Sequence, residues 1–157
     1  MRDRTPKAKI LPQSAREVRA RENPDNTDKQ TPAWQFCQID HDHREWGFRQ
    51  LTPEQFFDLI CVRLKNLESM KWADIRAQAG GRGRNGGTNH HQCPLDGFSS
   101  AAQRRLRDLG LDDIDGLFSL RLTQTLRLYG VKDGRVIRFI WYDPHHGSPN
   151  GSYPVRG

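Results

Sequence analysis

Four side chains in the last third of the chain have the types and spacing of a site that grips phosphate and moves protons: Arg121, Arg127 and the adjacent pair His145 and His146. Arginine presents a planar fork of N–H donors that matches a phosphate bidentately. Histidine takes up and releases protons near neutral pH. Cleaving a phosphodiester without a metal needs a base, an acid and a cation against the charge of the transition state. A plainer role also fits, because the outer face of an antiparallel sheet in a basic protein carries basic side chains. Arg104, Arg105 and Arg107 form a second basic group, either a solvated helix surface or the flank of a groove for RNA or DNA.

Strands must hold the first group. Phe118, Leu120 and Leu122 alternate with Ser119 and Arg121, and Leu126-Arg127-Leu128-Tyr129 leads to Val131. Val136 to Tyr142 is apolar except for Arg138, the pattern of a central strand covered on both faces. Asp133-Gly134 between these runs is a hairpin signal. Asp143-Pro144 ends the last strand, since proline has no N–H to give a ladder. The spacing predicts an antiparallel three-stranded meander from Phe118 to Tyr142, with Arg127 facing solvent outside the core. Neighbouring residues on a strand point to opposite faces, so only one of His145 and His146 is aimed at the site.

Earlier elements supply the platform. Trp34, Phe36 and Ile39 suggest a first strand over Trp34 to Asp40. Thr52 as N-cap, Pro53 at the first helical position and Gln55 closing a capping box start a helix. Phe56, Ile60, Leu64 and Leu67 continue it to Ser69 at helical spacing, with Phe57 and Leu59 widening the stripe, so it should lie across the sheet. Lys71 to Ala79 extends this as a short second helix. Another helix starts at Ser100 as cap with Gln103 closing its box, turns Leu106 and Leu109 inward, and ends at Gly110.

The chain ends read differently. Met1 to Thr31 holds eight Lys or Arg, five Asp or Glu and no aromatic residue, too little apolar surface to offset the entropy of ordering it. The expected organisation is a disordered basic tail over 1–31, one domain over 32–147 and a flexible tail over 148–157. Gly80 to Gly87 lacks P-loop spacing and reads as a glycine-rich insertion at 80–88. The net charge of +6 favours a polyanionic partner. No apolar run is long enough to span a bilayer, no signal-peptide core stands near the start, and the odd set Cys37, Cys61 and Cys93 argues against a disulfide framework. A cytoplasmic protein without a membrane partner is the expectation. Three histidine pairs (His41 with His43, His90 with His91, His145 with His146) lack the ligand spacing of common zinc sites, so neither metal nor cofactor is expected.

Strand, helices and meander in that order make an α+β fold: an N-terminal strand, two or three helices, then a three-stranded antiparallel meander. Ser119-Leu-Arg-Leu-Thr-Gln-Thr-Leu-Arg-Leu-Tyr-Gly-Val131 resembles the segment of the RelE/ParE toxin superfamily in which an arginine-bearing strand precedes an Arg-Leu-x-Tyr-like strand. It looks most like the YoeB-type branch, where a histidine and a tyrosine close the protein. The motif spans about 28 residues, and the topology runs from Trp34 to His146. The resemblance implies an mRNA endoribonuclease, active on RNA or the ribosome and restrained by an antitoxin protein. The ParE branch shares the fold and acts on a protein target. By that resemblance Arg127 matches the arginine at the scissile phosphate, Arg121 a strand residue on RNA, and His145 or His146 the terminal histidine. The chain departs from the pattern in three places: no acidic base can be placed, an insertion interrupts the helical region, and Tyr153 lies some residues beyond the histidines. A non-catalytic module that binds nucleic acid or protein on the same fold is the alternative. The chain also resembles bacterial and mobile-element proteins sharing the Asn-His-His, Ala-x-Arg-Arg-Leu and Trp-x-Asp-Pro-x-His segments.

Overall fold

The alternation that begins at Gly116 builds the middle of a five-stranded sheet. A computed structural model describes residues 26–78 and 89–154. The expectations for residues 1–25 and for the glycine-rich insertion at 80–88 lie outside the described residues. The elements are β1 (Ala33–Gln35), α1 (Pro53–Gln55), a π-helical segment (Phe56–Cys61), α2 (Val62–Glu68), α3 (Trp72–Ala77), β2 (His91–Pro94), α4 (Ser100–Asp108), β3 (Gly116–Arg121), β4 (Arg127–Asp133) and β5 (Val136–Asp143). The fold is α+β, with strand order β1-β5-β4-β3-β2.

The meander is therefore the centre of a larger, mixed sheet and not a sheet of its own. β3, β4 and β5 are antiparallel in sequence order, β2 adds an antiparallel edge beside β3, and β1 pairs with β5 in parallel. Sequence periodicity could not show β2, because only Cys93 of His-Gln-Cys-Pro is buried. The first strand is three residues long and stops short of the expected Asp40. Beyond it the chain leaves the ladder and returns only at Asp40, whose N–H donates to the Ile140 carbonyl.

Helices cover both faces. On one, Ile60, Leu64, Leu67, Trp72 and Ile75 pack against Phe118, Leu120, Leu128, Ile137 and Phe139. The opposite core joins Phe98, Ala102 and Leu106 to Leu117, Tyr129, Ile140 and Trp141. Thr52 and Gln55 form the expected capping box, with bonds of 3.2 and 3.0 Å. The cap of α4 falls one residue earlier than expected. Ser99 Oγ accepts the Ala102 N–H, while the Gln103 amide donates to the Phe98 carbonyl and closes no box. Gly110 ends α4 at φ 69°, and Leu111 N–H reaches back to the Leu106 carbonyl.

Two backbone details set which side chains reach which face. Gly134, at φ 56°, takes the first position of the two-residue turn between Asp133 and Val136, where a positive φ is needed. A β-bulge follows in β5: Tyr129 pairs with Trp141 but Gly130 with Phe139, leaving Ile140 as the extra residue. Ile140 and Trp141 both enter the core under α4 as a result. A Cβ at residue 130 would run into the Arg138 carbonyl.

Both ends of the described chain are more tied down than expected. Asn26 caps a 3-10 turn over Thr27–Lys29, and the Gln30 carbonyl accepts the Trp72 N–H, so residues 26–31 belong to the fold. Ser152, expected in a flexible tail, is fully buried.

Candidate functional site

Arg121 and Arg127 stand directly opposite each other at the end of the β3–β4 hairpin, with Asp143 next in the same row. The turn between them is closed by Leu122 N–H on the Leu126 carbonyl and by Leu126 N–H on Thr123 Oγ1. That turn aims the Thr123 carbonyl inward, and both guanidiniums bind it: Arg127 Nη1 at 2.8 Å and Arg121 Nε at 3.3 Å. Arg127 Nη1 also donates to the carbonyls of Gln124 and Leu126. Arg127 is only 7% exposed, which corrects the expectation of a solvent-facing strand arginine outside the core. The physical reason is that carbonyls at the hairpin end solvate the charge that the sheet would otherwise strand.

Its remaining N–H groups face outward. Nε and Nη2 of Arg127 have no partner among the described residues, yet neither is a buried orphan. Among the described residues, neither arginine reaches a carboxylate within ion-pair distance. Asp143, the acid in the row, is fully committed elsewhere. Its carboxylate accepts the His145 N–H at 2.8 Å, the Ser152 N–H at 2.8 Å and the Ser152 hydroxyl at 2.6 Å. Burial, and then the charge of Arg121, lowers the pKa of Arg127, but a guanidinium still stays cationic.

His146 is brought to this corner and His145 is not. The His146 N–H donates to the Thr125 carbonyl, and Nδ1 lies 2.8 Å from the Tyr129 hydroxyl. His145 is exposed on the surface, its backbone held by Asp143. Burial, followed by the positive charge of Arg127, pulls His146 down to about 4. It is neutral at neutral pH. Burial also raises the Tyr129 hydroxyl well above its ordinary value, so Tyr129 stays protonated. Tyr153, distant from His146 in sequence, stacks near its ring with centroids 6.1 Å apart and a 13° tilt.

Three further residues were named in the sequence but not assigned to this site. His91 pairs with Ser119 and Ser119 with Tyr129, so all three share the face carrying His146, and the charge of His91 acts on His146. Tyr129 was read only as a strand residue of the Arg-Leu-x-Tyr-like segment, with no role of its own. The third, His90, is 3% exposed and fully bonded: Nδ1 accepts the Arg121 N–H at 3.0 Å, which leaves Nε2 to donate to Gln78 Oε1 at 2.9 Å. Burial lowers its pKa to about 4. Asn89 beside it accepts from Arg121 Nη1 at 3.2 Å.

The α4 arginines do not join this corner as a set. Arg104 and Arg107 are exposed, as a basic helix surface requires. Arg105 instead reaches in to Asp40, donating from Nε at 2.8 Å and Nη2 at 2.7 Å. The Trp141 indole N–H adds a third bond to that carboxylate. Burial alone would raise Asp40, but the bonds from Arg105 and Trp141 win and hold it at about 2. Arg105 is therefore chiefly a structural tie between α4 and the segment after β1.

Among the described residues no three His, Cys, Asp or Glu side chains come together as a metal-ligand set, and no helix is long and apolar enough to cross a membrane. No family model, curated protein or solved structure matches this chain. The arrangement can bind an anion through donors already aimed outward, beside an imidazole held neutral.

Proposed function

We propose that this protein is a toxin-like RNA-binding domain that cleaves messenger RNA without a metal, with Arg127 and Arg121 on the scissile phosphate and His146 in proton transfer. The observation that carries the reading is the pair of guanidiniums sharing the Thr123 carbonyl with no ion-pair partner among the described residues. Two like charges held this close repel, and an anion between them and solvent relieves that repulsion. The RelE/ParE resemblance supplies the substrate class, and the cationic net charge agrees with it.

In the mechanism proposed, the Tyr129 hydroxyl accepts from Nδ1–H of His146, which leaves Nε2 with a lone pair. Nε2 takes the ribose 2′-hydroxyl proton, and the 2′-oxygen attacks phosphorus. The bond to the 5′-oxygen breaks, giving a 2′,3′-cyclic phosphate, and the 5′-oxygen takes a proton from water to leave as a hydroxyl. Arg127 meets the developing charge through Nε and Nη2, and Arg121 holds the backbone beside it.

Purified protein incubated with RNA, with and without ribosomes and with a chelator present, is expected to cut it, and induced expression is expected to arrest bacterial growth. Because Arg127 anchors the hairpin, Arg127→Lys is the informative variant. It keeps the charge but loses the fork, and the rate should fall about a hundredfold or more while the fold stays. His146→Asn should do likewise. The acidic limb of kcat/KM, which reports the free enzyme, should fall near pH 4, where His146 titrates, and not near 6.5. Absence of cutting and of growth arrest under all these conditions would overturn the catalytic reading. The alternative is then a module that binds nucleic acid without cleaving it. It is favoured by the 7% exposure of Arg127, which restricts how closely a transition state could approach.

A further inference from the structure

Arg121 also lines a pocket of about 250 Å³ on the side of the hairpin away from His146, together with Arg63, Asn66, Asn89 and His90. Its apolar wall is Leu67, Met70 and Leu122. The floor is built, not fortuitous. His90 is locked between the Arg121 N–H and Gln78, and the Gln78 amide donates in turn to the Met70 sulfur at 3.4 Å. Asn89 is oriented by accepting from Arg121, which turns its amide N–H₂ free of that bond. The polar groups left over are thus mainly donors: the Arg63 guanidinium, the Asn89 amide nitrogen and Arg121 Nη2, with Asn66 able to give and accept. An apolar wall with a donor-rich rim suits a nucleobase that shows two adjacent acceptors on one edge, and guanine does so with O6 and N7.

We infer that this pocket takes a guanine base next to the phosphate held by Arg121 and Arg127. The inference rests on the proposed RNA-binding function and adds to it a base preference. Arg121 is the hinge between the two sites. Its Nε shares the Thr123 carbonyl with Arg127, while its Nη1 positions Asn89 in the pocket wall. A phosphate and its neighbouring base would therefore be gripped by one side chain at once.

The test uses the full chain and two probes. One is each of the four ribonucleoside monophosphates; the other is a ten-nucleotide oligouridine with or without a single guanosine. Binding is read by fluorescence anisotropy and by NMR shifts of the Asn66 and Asn89 side-chain amides. GMP should bind tightest and shift both amides. One guanosine should tighten the oligonucleotide on the order of tenfold or more, the size of one good base contact. Asn66→Ala and Arg63→Ala, both at exposed positions, should remove most of that preference. Equal binding of both oligonucleotides with RNA still cut would overturn the pocket and leave the proposed function standing. A guanine preference lost in Asn66→Ala, in a protein that cuts no RNA, would support the pocket and remove the catalysis. No binding of any probe at millimolar concentration would overturn both.

Discussion

Single residues in this protein are tuned mostly by burial, and the tuning fixes how stability responds to acid. His90 and His146 both sit at about 4 in the fold, against an ordinary value of 6.5. Between those limits the unfolded chain binds protons that the native protein refuses, so stability rises with pH across that window and falls as pH drops from 6.5 towards 4. Asp40 adds a separate loss at lower pH, between its ordinary 3.8 and about 2. Urea midpoints measured at pH 7 and pH 5 should show the protein weaker at pH 5, with a shallower drop in His90→Gln; equal midpoints would refute the histidine account. Asp40→Ala frees Arg105 to water but leaves the buried Trp141 N–H without a partner, and should cost about 1–3 kcal/mol, the penalty of one unsatisfied buried donor. At this scale the sequence was legible in placing Arg121 and Arg127 on neighbouring strands, but not in the burial of Arg127. It was silent where burial decided, as at His90. No sequence pattern showed that Arg105 would turn inward while its neighbours on α4 stay in water.

Elements were legible where local signals agree with one another. Thr52, Pro53 and Gln55 announce the start of α1 on chemistry confined to four residues, and the structure forms that cap. Thr52→Ala should therefore cost about 1 kcal/mol, seen as a lower melting midpoint with unchanged far-UV dichroism. The π-helical segment Phe56–Cys61 was not legible. A single wide turn keeps the apolar stripe nearly in phase, so the residues look α-helical, while Phe57, expected to widen that stripe, is 62% exposed. β2 escaped for a different reason. Its residues earn their strand conformation from the edge of β3 and carry almost no alternation of their own.

Across the whole molecule, the parallel pairing of β1 with β5 joins residues about a hundred positions apart. No local pattern encodes such a pairing, so the strand order had to come from the structure. The return of the chain after β5 is similarly global. Asp143 fastens residues 145 and 152 to the sheet, and with them the imidazole of His146 and the ring of Tyr153. Ending the chain after Pro149 would leave that buried carboxylate short of two donors. The expected cost is about 1–3 kcal/mol, read as a drop of several degrees in Tm, together with a shifted His146 resonance by NMR. The bulge at Ile140 carries this one step further. Beyond an extra residue, odd and even positions of a strand exchange sides, so Ile140 acts as a parity switch for all that follows. It sends Trp141 and Asp143 to the face of the arginines and Tyr142 to the other. Running β5 on without the bulge would turn the remainder of the strand over, placing Tyr142 opposite Arg127 where the carboxylate now fastens the chain, with every side chain unchanged in identity.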